Sequence, residues 1–266
     1  MNVRHACLFA ILINVAVAAV AAAQPPLPPP PKPDEGPGSD TQLGAAFVGN
    51  SGNANTATLG ADFSTNYRQP PWRFDAAASA TRNSGDNVAN VERYLENARI
   101  KRDLTPIIAA TGGERLEHDP IAGIALRSIV DGGLAWKLVR QPSWALDGIT
   151  AIAWNHEHPI EALELIAPTT DDAIGLLQLL SKIPIGPTGS TTQRVTVFPD
   201  FTRSEALRLE SELTVQAAMS QRIALKVGYL IRYVRTPLPG LKTTDTTATA
   251  SIVMTWKNPP APPKAP

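Results

Sequence analysis

The sequence predicts an all-β protein: one antiparallel up-and-down transmembrane β-barrel of about twelve strands. Three observations predict this fold. Apolar and polar residues alternate with period two over most of residues 41–257, as in strands with one apolar face. Several alternating runs exceed the usual soluble strand of about 5–6 residues and reach the roughly 9–11 residues that cross a membrane. Tight connectors alternate with longer polar ones, as in a barrel whose two rims differ.

The chain begins with a segment typical of a cleaved signal peptide. Arg4 precedes an apolar run over residues 6–20, which is followed by three alanines before Gln24. A short basic region, an apolar core and small residues before a cleavage point characterise secretory signals. We therefore assign residues 1–23 to a signal peptide, with a retained membrane anchor as the alternative. The one cysteine, Cys7, lies in this segment, so the mature chain can form no disulfide.

Proline-rich segments flank the alternating region. Residues 24–40 predict a semi-rigid polyproline tether in the periplasm, and residues 258–266 predict a C-terminal tail of the same character. No composition break divides residues 41–257, so we expect one barrel domain there. The formal net charge is +0, with both signs interspersed, which gives no support for a nucleic-acid partner.

Six runs carry the strand prediction. Each places apolar side chains in one phase and polar side chains in the other, and they cover residues 57–68, 72–83, 123–138, 206–217, 222–235 and 244–256. Three further segments alternate poorly, at residues 91–104, 105–119 and 172–185, and the last of them resembles a short helix as much as a strand. We interpret all three as strands, because strands flank them and turn signals bound them.

The connectors fall into two kinds. Tight turns are expected at residues 68–71, 140–143 and 220–222, and longer polar loops at 49–56, 83–90 and 155–172. Short turns on one rim and longer loops on the other are typical of outer-membrane barrels. Both ends of the chain then fall on the rim of the short turns, which is the periplasmic one.

Aromatic side chains mark one edge of the predicted apolar belt. Five of them lie in the apolar phase of their strands, towards the tight turns: Tyr67, Trp72, Trp136, Trp144 and Trp256. Amphipathic rings gather at a membrane–water interface, so we predict an aromatic girdle on this side. In a soluble sandwich the same rings would lie in the core, with no reason to share one end.

The polar phase predicts a charged lumen. Ten residues of both signs belong to it: Arg73, Asp75, Arg127, Asp131, Arg208, Glu210, Glu212, Lys226, Arg232 and Asp245. Charges held away from water need partners, so this density predicts ion pairs across the lumen. Two interpretations stay open, namely a barrel braced from inside and a narrow passage for small polar solutes.

The sequence predicts no catalytic, cofactor or metal site. His156 and His158 flank Glu157 in the longest predicted loop, but a metal site needs a third ligand, which the sequence does not show. We interpret the His118–Asp119 pair as solvated in a loop turn. No G-x-S-x-G nucleophile elbow occurs in the sequence, and we expect no enzymatic activity.

Four stretches resemble one known family: SGNANTATLGADFSTNYR, ERYLENARIKRDL, GERLEHDPIAGIALRSIVDGGLAWKL and LKVGYLIRYVRTPLPGLKTTDTTATASIVMTW. The family is domain-of-unknown-function family 481 (DUF481), whose members are labelled salt-induced outer-membrane proteins of the YdiY type. The resemblance covers most of residues 43–256. It implies an outer-membrane β-barrel of a Gram-negative bacterium, with no established ligand and no catalytic residues. The tail after Trp256 and the interruption of the proline run by Leu238 depart from the family pattern.

These features define the partners that we expect. They are outer-membrane lipid around the barrel, the barrel-insertion machinery acting through the last strand, and small polar solutes if the lumen is a passage. A soluble periplasmic β-barrel or sandwich that binds an apolar ligand is the alternative.

Overall fold

The structure is a computed structural model that describes residues 37–51, 56–85, 88–161, 168–203, 205–238 and 240–258. The predicted signal peptide, nearly all of the predicted tether and the tail beyond Asn258 lie outside the described residues. Within the described part, no helix is both long and apolar enough to cross a membrane.

The described chain forms twelve strands and one short 3-10 helix, Pro120–Ala122. The strands are β1 Gly38–Ser51, β2 Thr56–Gln69, β3 Trp72–Gly85, β4 Val88–Asp103, β5 Ile108–Asp119, β6 Ile124–Gln141, β7 Trp144–Pro159, β8 Thr170–Ile185, β9 Gly189–Pro199, β10 Leu207–Ala218, β11 Ile223–Val234 and β12 Thr244–Asn258. All six strand runs are confirmed, and so are the strands in the three segments that alternate poorly.

Each strand pairs antiparallel with its sequence neighbour, and β12 pairs antiparallel with β1 to close the barrel. In the closing ladder Trp256 lies opposite Thr41, and Ile252 lies opposite Ala45. The predicted fold class is therefore confirmed: one antiparallel up-and-down barrel of twelve strands.

The barrel has two different rims. The turn rim carries both ends of β1–β12 and the connectors at residues 70–71, 104–107, 142–143, 186–188 and 219–222. The loop rim carries the remaining connectors, the longest of which span residues 160–169, 200–206 and 235–243. The predicted loops were too long, because β3 continues to Gly85, β4 begins at Val88 and β7 continues to Pro159. Polar strand ends can pair beyond an apolar belt, so polarity alone did not mark the loop boundaries.

The outer face is a broad apolar surface. Leu59 is 74% exposed, Ile152 is 71% exposed and Ile252 is 61% exposed, and each lies in the outward phase of its strand. The inward-facing neighbour of Ile252, Val253, is 0% exposed. Soluble monomers rarely expose an apolar surface of this extent, whereas a bilayer requires one.

Two carboxylates interrupt this surface and explain the poor alternation of β4 and β5. Glu96 and Glu114 lie in the outward phase near the middle of their strands, and both are exposed. They are diagonal neighbours, because Glu96 lies opposite Leu116 and Glu114 lies opposite Ala98. Charges in both phases removed the period-two signal that the other strands show.

Part of the inner face is apolar, which the sequence reasoning did not predict. A buried cluster on β6 to β9 lines the inside of the barrel with Ile129, Ile149, Ala153, Ile174, Leu176 and Phe198. Because β8 carries apolar residues in both phases, its sequence resembled a helix. The lumen is therefore not charged throughout, and β6 to β9 contribute both this apolar cluster and some of the charged residues.

An arginine on the outer face should harm assembly far more than one on the inner face. Leu225 and Ile252 lie opposite each other on the apolar surface, whereas Thr249 lines a cavity inside the barrel. Arginine at the bilayer midplane costs about 2–4 kcal/mol. We expect Leu225→Arg or Ile252→Arg to lower the folded fraction in lipid vesicles, measured as the heat-modifiable gel band, well below that of Thr249→Arg. Equal damage from Thr249→Arg would contradict the assignment of faces.

Candidate functional site

The structure places the ten predicted lumen residues on the inner face of the barrel. Eight of them take part in ion pairs there: Arg73 with Asp103, Asp75 with Lys101, Arg127 with Glu157, Asp131 with Arg99, Glu210 with Arg115, Glu212 with Arg194, Lys226 with Asp62 and Arg232 with Glu117. Arg208 and Asp245 line a cavity at the loop rim, and Asp245 also has an interaction partner.

Glu117 is the centre of the charged cluster. Its side chain is 3% exposed, and its carboxylate lies 3.1 Å from the nearest guanidinium nitrogens of Arg127 and Arg232 and 3.6 Å from that of Arg115. Arg115 also donates two hydrogen bonds, of 2.7 and 2.8 Å, to the carboxylate of Glu210 on β10. Paired charges on β5, β6, β10 and β11 thus span the lumen, and each carboxylate has at least one charge-assisted hydrogen bond.

Asp119 holds a second group of charges beside this centre. The carboxylate of this nearly buried residue pairs with Arg93 and lies 3.1 Å from Arg232. It also accepts a 3.2 Å hydrogen bond from the Ala122 backbone N–H and so caps the 3-10 helix. The interpretation of Asp119 as a solvated loop residue was wrong, because β5 continues through it and turns its side chain inward.

A separate set of ion pairs lies in the turn-rim half of the lumen. Arg99 donates hydrogen bonds of 2.8 and 2.6 Å to the two carboxylate oxygens of Asp131. Lys101 donates a 2.9 Å hydrogen bond to Asp75. The paired groups here come from β3, β4 and β6, so this end is braced by a different set of strands.

At least two cavities lie between these side chains in the described part of the chain. The larger of the two, about 230 Å³, is lined by small residues of β1, β2, β3, β11 and β12 and by charged and aromatic residues of β4, β5, β10 and β11. The smaller, about 100 Å³, lies at the loop rim beneath the residues of the β11–β12 connector, Pro237, Leu238 and Leu241. Glu117 and Arg232 line both cavities, and their 3.1 Å ion pair therefore stands at the boundary between the two spaces.

The histidine-rich segment lies on a strand and not in the predicted loop. His156 and His158 occupy the outward phase of β7, where their Nδ1 atoms lie 2.9 Å from Asp171 Oδ1 and 2.7 Å from Thr169 Oγ1. Glu157 points inward and accepts a hydrogen bond from Arg127. The three side chains therefore face opposite sides of the barrel wall, and the loop placement was wrong.

The five predicted girdle rings lie on the outer face, each towards the turn rim. Two of them bond neighbouring hydroxyls, since Trp136 Nε1 donates to Thr150 Oγ1 at 3.1 Å and Trp144 Nε1 donates to Ser181 Oγ at 3.0 Å. Trp72 has the guanidinium of Arg102 5.6 Å from its ring centroid. Apolar rings with polar contacts at one edge suit a membrane–water interface.

Sequence reasoning missed several charged residues of the lumen. On β4 these are Arg93, Arg99, Lys101 and Asp103, and on β5 they are Arg115, Glu117 and Asp119. A usable signal was present, because these charged residues are separated within each segment by even numbers of positions and so share one face of a strand. It was hidden by Glu96 and Glu114 in the other phase.

The sequence matches one family model, described as "Protein of unknown function, DUF481", over residues 43–256. No curated protein sequence matches the chain.

Several solved structures are similar to this chain. The NanC porin is similar with a TM-score of 0.54 at 9% identity, covering 80% of this chain and 98% of that chain. The translocator domain of the autotransporter NalP from Neisseria meningitidis has a TM-score of 0.43 at 12% identity and covers 95% of each chain. The KdgM porin in complex with disordered oligogalacturonate has a TM-score of 0.43 at 6% identity, with 81% and 99% covered. At these identities the likeness to NanC shows a common fold and nothing further.

Loss of Glu117 should destabilise the barrel more than loss of a peripheral lumen carboxylate. Removing one partner of a buried ion pair costs about 3–5 kcal/mol, whereas an exposed pair contributes less than about 1 kcal/mol. We expect Glu117→Ala to lower the urea unfolding midpoint of the refolded barrel clearly, because it leaves the arginines around it with excess positive charge. Glu212→Ala is the matched control, since Glu212 is 40% exposed and its ion-pair partner within the described part of the chain is Arg194.

Removing Arg232 together with Glu117 should recover part of this loss. Arg115, Arg127 and Asp119 would each keep another partner in the double variant. A midpoint for Glu117→Ala no lower than that for Glu212→Ala would contradict a central role for Glu117.

Proposed function

We propose that this chain, which belongs to the DUF481 family of proteins of unknown function, is an outer-membrane β-barrel of a Gram-negative bacterium with a narrow, braced passage for small polar solutes. The observation that carries the proposal is the interior of the barrel. Two cavities, whose walls combine charged and polar groups with apolar side chains, meet at the Glu117–Arg232 pair, inside a wall whose outer face is apolar.

The size of the barrel favours a narrow passage over an open pore. Barrels of 16–18 strands leave an aqueous channel, while about eight strands leave an interior that side chains fill. Twelve strands fall between these limits, and here the arginines and the apolar cluster occupy much of the space. Only small solutes would then pass, and only when the side chains at the boundary move.

The proposal includes a location and an orientation. Residues 1–23 would direct export and be removed, and residues 24–40 and 258–266 would lie in the periplasm beside the turn rim. The girdle of Tyr67, Trp72, Trp136, Trp144 and Trp256 would lie at the periplasmic interface, with lipid around residues 41–257. The last strand would be the element that the barrel-insertion machinery engages.

A structural role in the envelope is the second candidate, and a specific observation favours it. The Lys226–Asp62 and Arg115–Glu210 pairs join strands that are not neighbours in the barrel wall, so they act as cross-braces. We propose no enzymatic, cofactor or metal-dependent activity under either candidate.

The location is tested by fractionation. We expect the full-length protein to sediment with the outer membrane and to migrate faster on a gel without boiling, because a closed barrel resists detergent until heated. The soluble alternative, a periplasmic barrel with an apolar ligand, requires recovery in the periplasmic fraction without detergent.

The passage is tested by conductance in a planar bilayer. We expect small steps from the wild type and larger steps from the double variant Glu117→Ala with Arg232→Ala, because it removes the side chains between the two cavities. The double variant Arg194→Ala with Glu212→Ala also removes a lumen ion pair but leaves that boundary intact, so its steps should stay close to those of the wild type.

Porin-like steps from the wild type would overturn the narrow passage in favour of general diffusion. If neither the wild type nor either double variant conducts, the structural role becomes the better explanation.

A further inference from the structure

Arg208 differs from the other arginines of the central cluster. Arg93, Arg115, Arg127 and Arg232 each lie within ion-pair distance of at least one carboxylate. Arg208 has none among the described residues: its guanidinium contacts the Asn155 Oδ1 atom at 3.4 Å and lies 4.9 Å from the Phe198 ring centroid. It is therefore a lumen cation held in place by a neutral amide and an aromatic face.

The nearby carboxylates are already engaged by other arginines. Glu210 accepts both of its 2.7 and 2.8 Å hydrogen bonds from Arg115, and Glu157 accepts a 2.8 Å bond from Arg127 Nε. Moving either carboxylate to Arg208 would take it from its present partner. The guanidinium charge of Arg208 thus has no carboxylate of its own within ion-pair distance among the described residues.

This charge borders an accessible space. Arg208 and Arg127 both line the cavity of about 100 Å³ at the loop rim, and Pro237, Leu238 and Leu241 line it from the β11–β12 connector. A cavity of this size holds several water molecules or a small organic molecule. Guanidinium groups therefore lie on one part of its wall, and apolar side chains of the β11–β12 connector lie on another.

We propose that Arg208 binds the carboxylate of a small monocarboxylic solute in the loop-rim cavity, with Arg127 as the second cation. A guanidinium presents parallel N–H groups that match two carboxylate oxygens, and the Phe198 face would hold its plane. Four carboxylates, those of Glu117, Glu157, Glu210 and Asp245, line the same cavity and disfavour a second negative charge on the solute. A monoanion with a short apolar part therefore fits better than a phosphate dianion. The binding site depends on the proposed function in one respect: the solute that it binds would be one that enters the passage.

Two further cations resemble Arg208 and lie towards the turn rim. Arg68 and Lys182 lie in the inward phase of β2 and β8, and neither has an ion-pair partner among the described residues. An anion that left Arg208 past the Glu117–Arg232 boundary would meet positive charge again before the turn rim.

The test is ligand-observed NMR on the mature full-length protein refolded in non-ionic detergent at low ionic strength. Saturation-transfer titration with propionate should show saturable binding with a roughly millimolar Kd. Propionamide, which has the same shape without the charge, should not bind measurably. Arg208→Gln should weaken propionate binding at least tenfold, whereas Arg194→Gln, which removes the same charge elsewhere in the lumen, should leave it unchanged.

Arg208→Lys provides a second variant if Arg208→Gln fails to fold by heat-modifiability. It keeps the charge but lacks the two-pronged donor geometry, and binding should fall several-fold. Propionate binding by Arg208→Gln at wild-type affinity, equal loss in Arg194→Gln, or equal binding of propionamide would each overturn the site.

The two proposals fail separately. Propionate binding by a protein that never conducts supports the site and removes the passage. If the protein conducts as expected but does not bind propionate, the binding site at Arg208 is overturned and the proposed passage is supported.

Discussion

The pairing of every backbone N–H and C=O across the wall is the constraint on which the rest of this structure depends. Lipid offers those groups no partner, and an open sheet leaves two edges unpaired. The ladder between β1 and β12, which runs from Ser39–Asn258 to Ser51–Thr246, removes both edges. Closure also creates an inside and an outside, and the period-two pattern, the apolar outer face and the shielded charges all follow from that division.

Closure with twelve strands then determines how the interior charges are arranged. Side chains from strands that are not neighbours can meet, so Arg115 on β5 reaches Glu210 on β10, and Lys226 on β11 reaches Asp62 on β2. A charge withdrawn from water is tolerated only with partners, and Glu117 accordingly lies among three arginines. The apolar cluster on β6 to β9 takes the place of further charges on the facing wall.

How much the sequence could predict differs from strand to strand. Residues 57–68 alternate strictly, so the phase of Leu59, Phe63 and Asp62 followed directly from the pattern. In β8 both phases are apolar because Ile174 and Leu176 face inward, and the pattern could not tell a strand from a helix there. The inward direction of Glu210 was predictable, but its partner Arg115 was not. That pair depends on the curvature and register of a closed wall, which local spacing does not encode.

Ion pairs that stabilise the barrel from inside can also allow a small solute to pass through the lumen. Arg232 lies 3.1 Å from the carboxylates of both Glu117 and Asp119. It can therefore leave Glu117, which keeps Arg127 and Arg115, and remain paired with Asp119. The boundary between the cavities could open by such an exchange without leaving a buried charge alone, whereas a pair with no alternative partners would pay the full penalty for parting. Rearrangement of side chains within an intact wall opens only a small gap, and this restricts any solute to a small one.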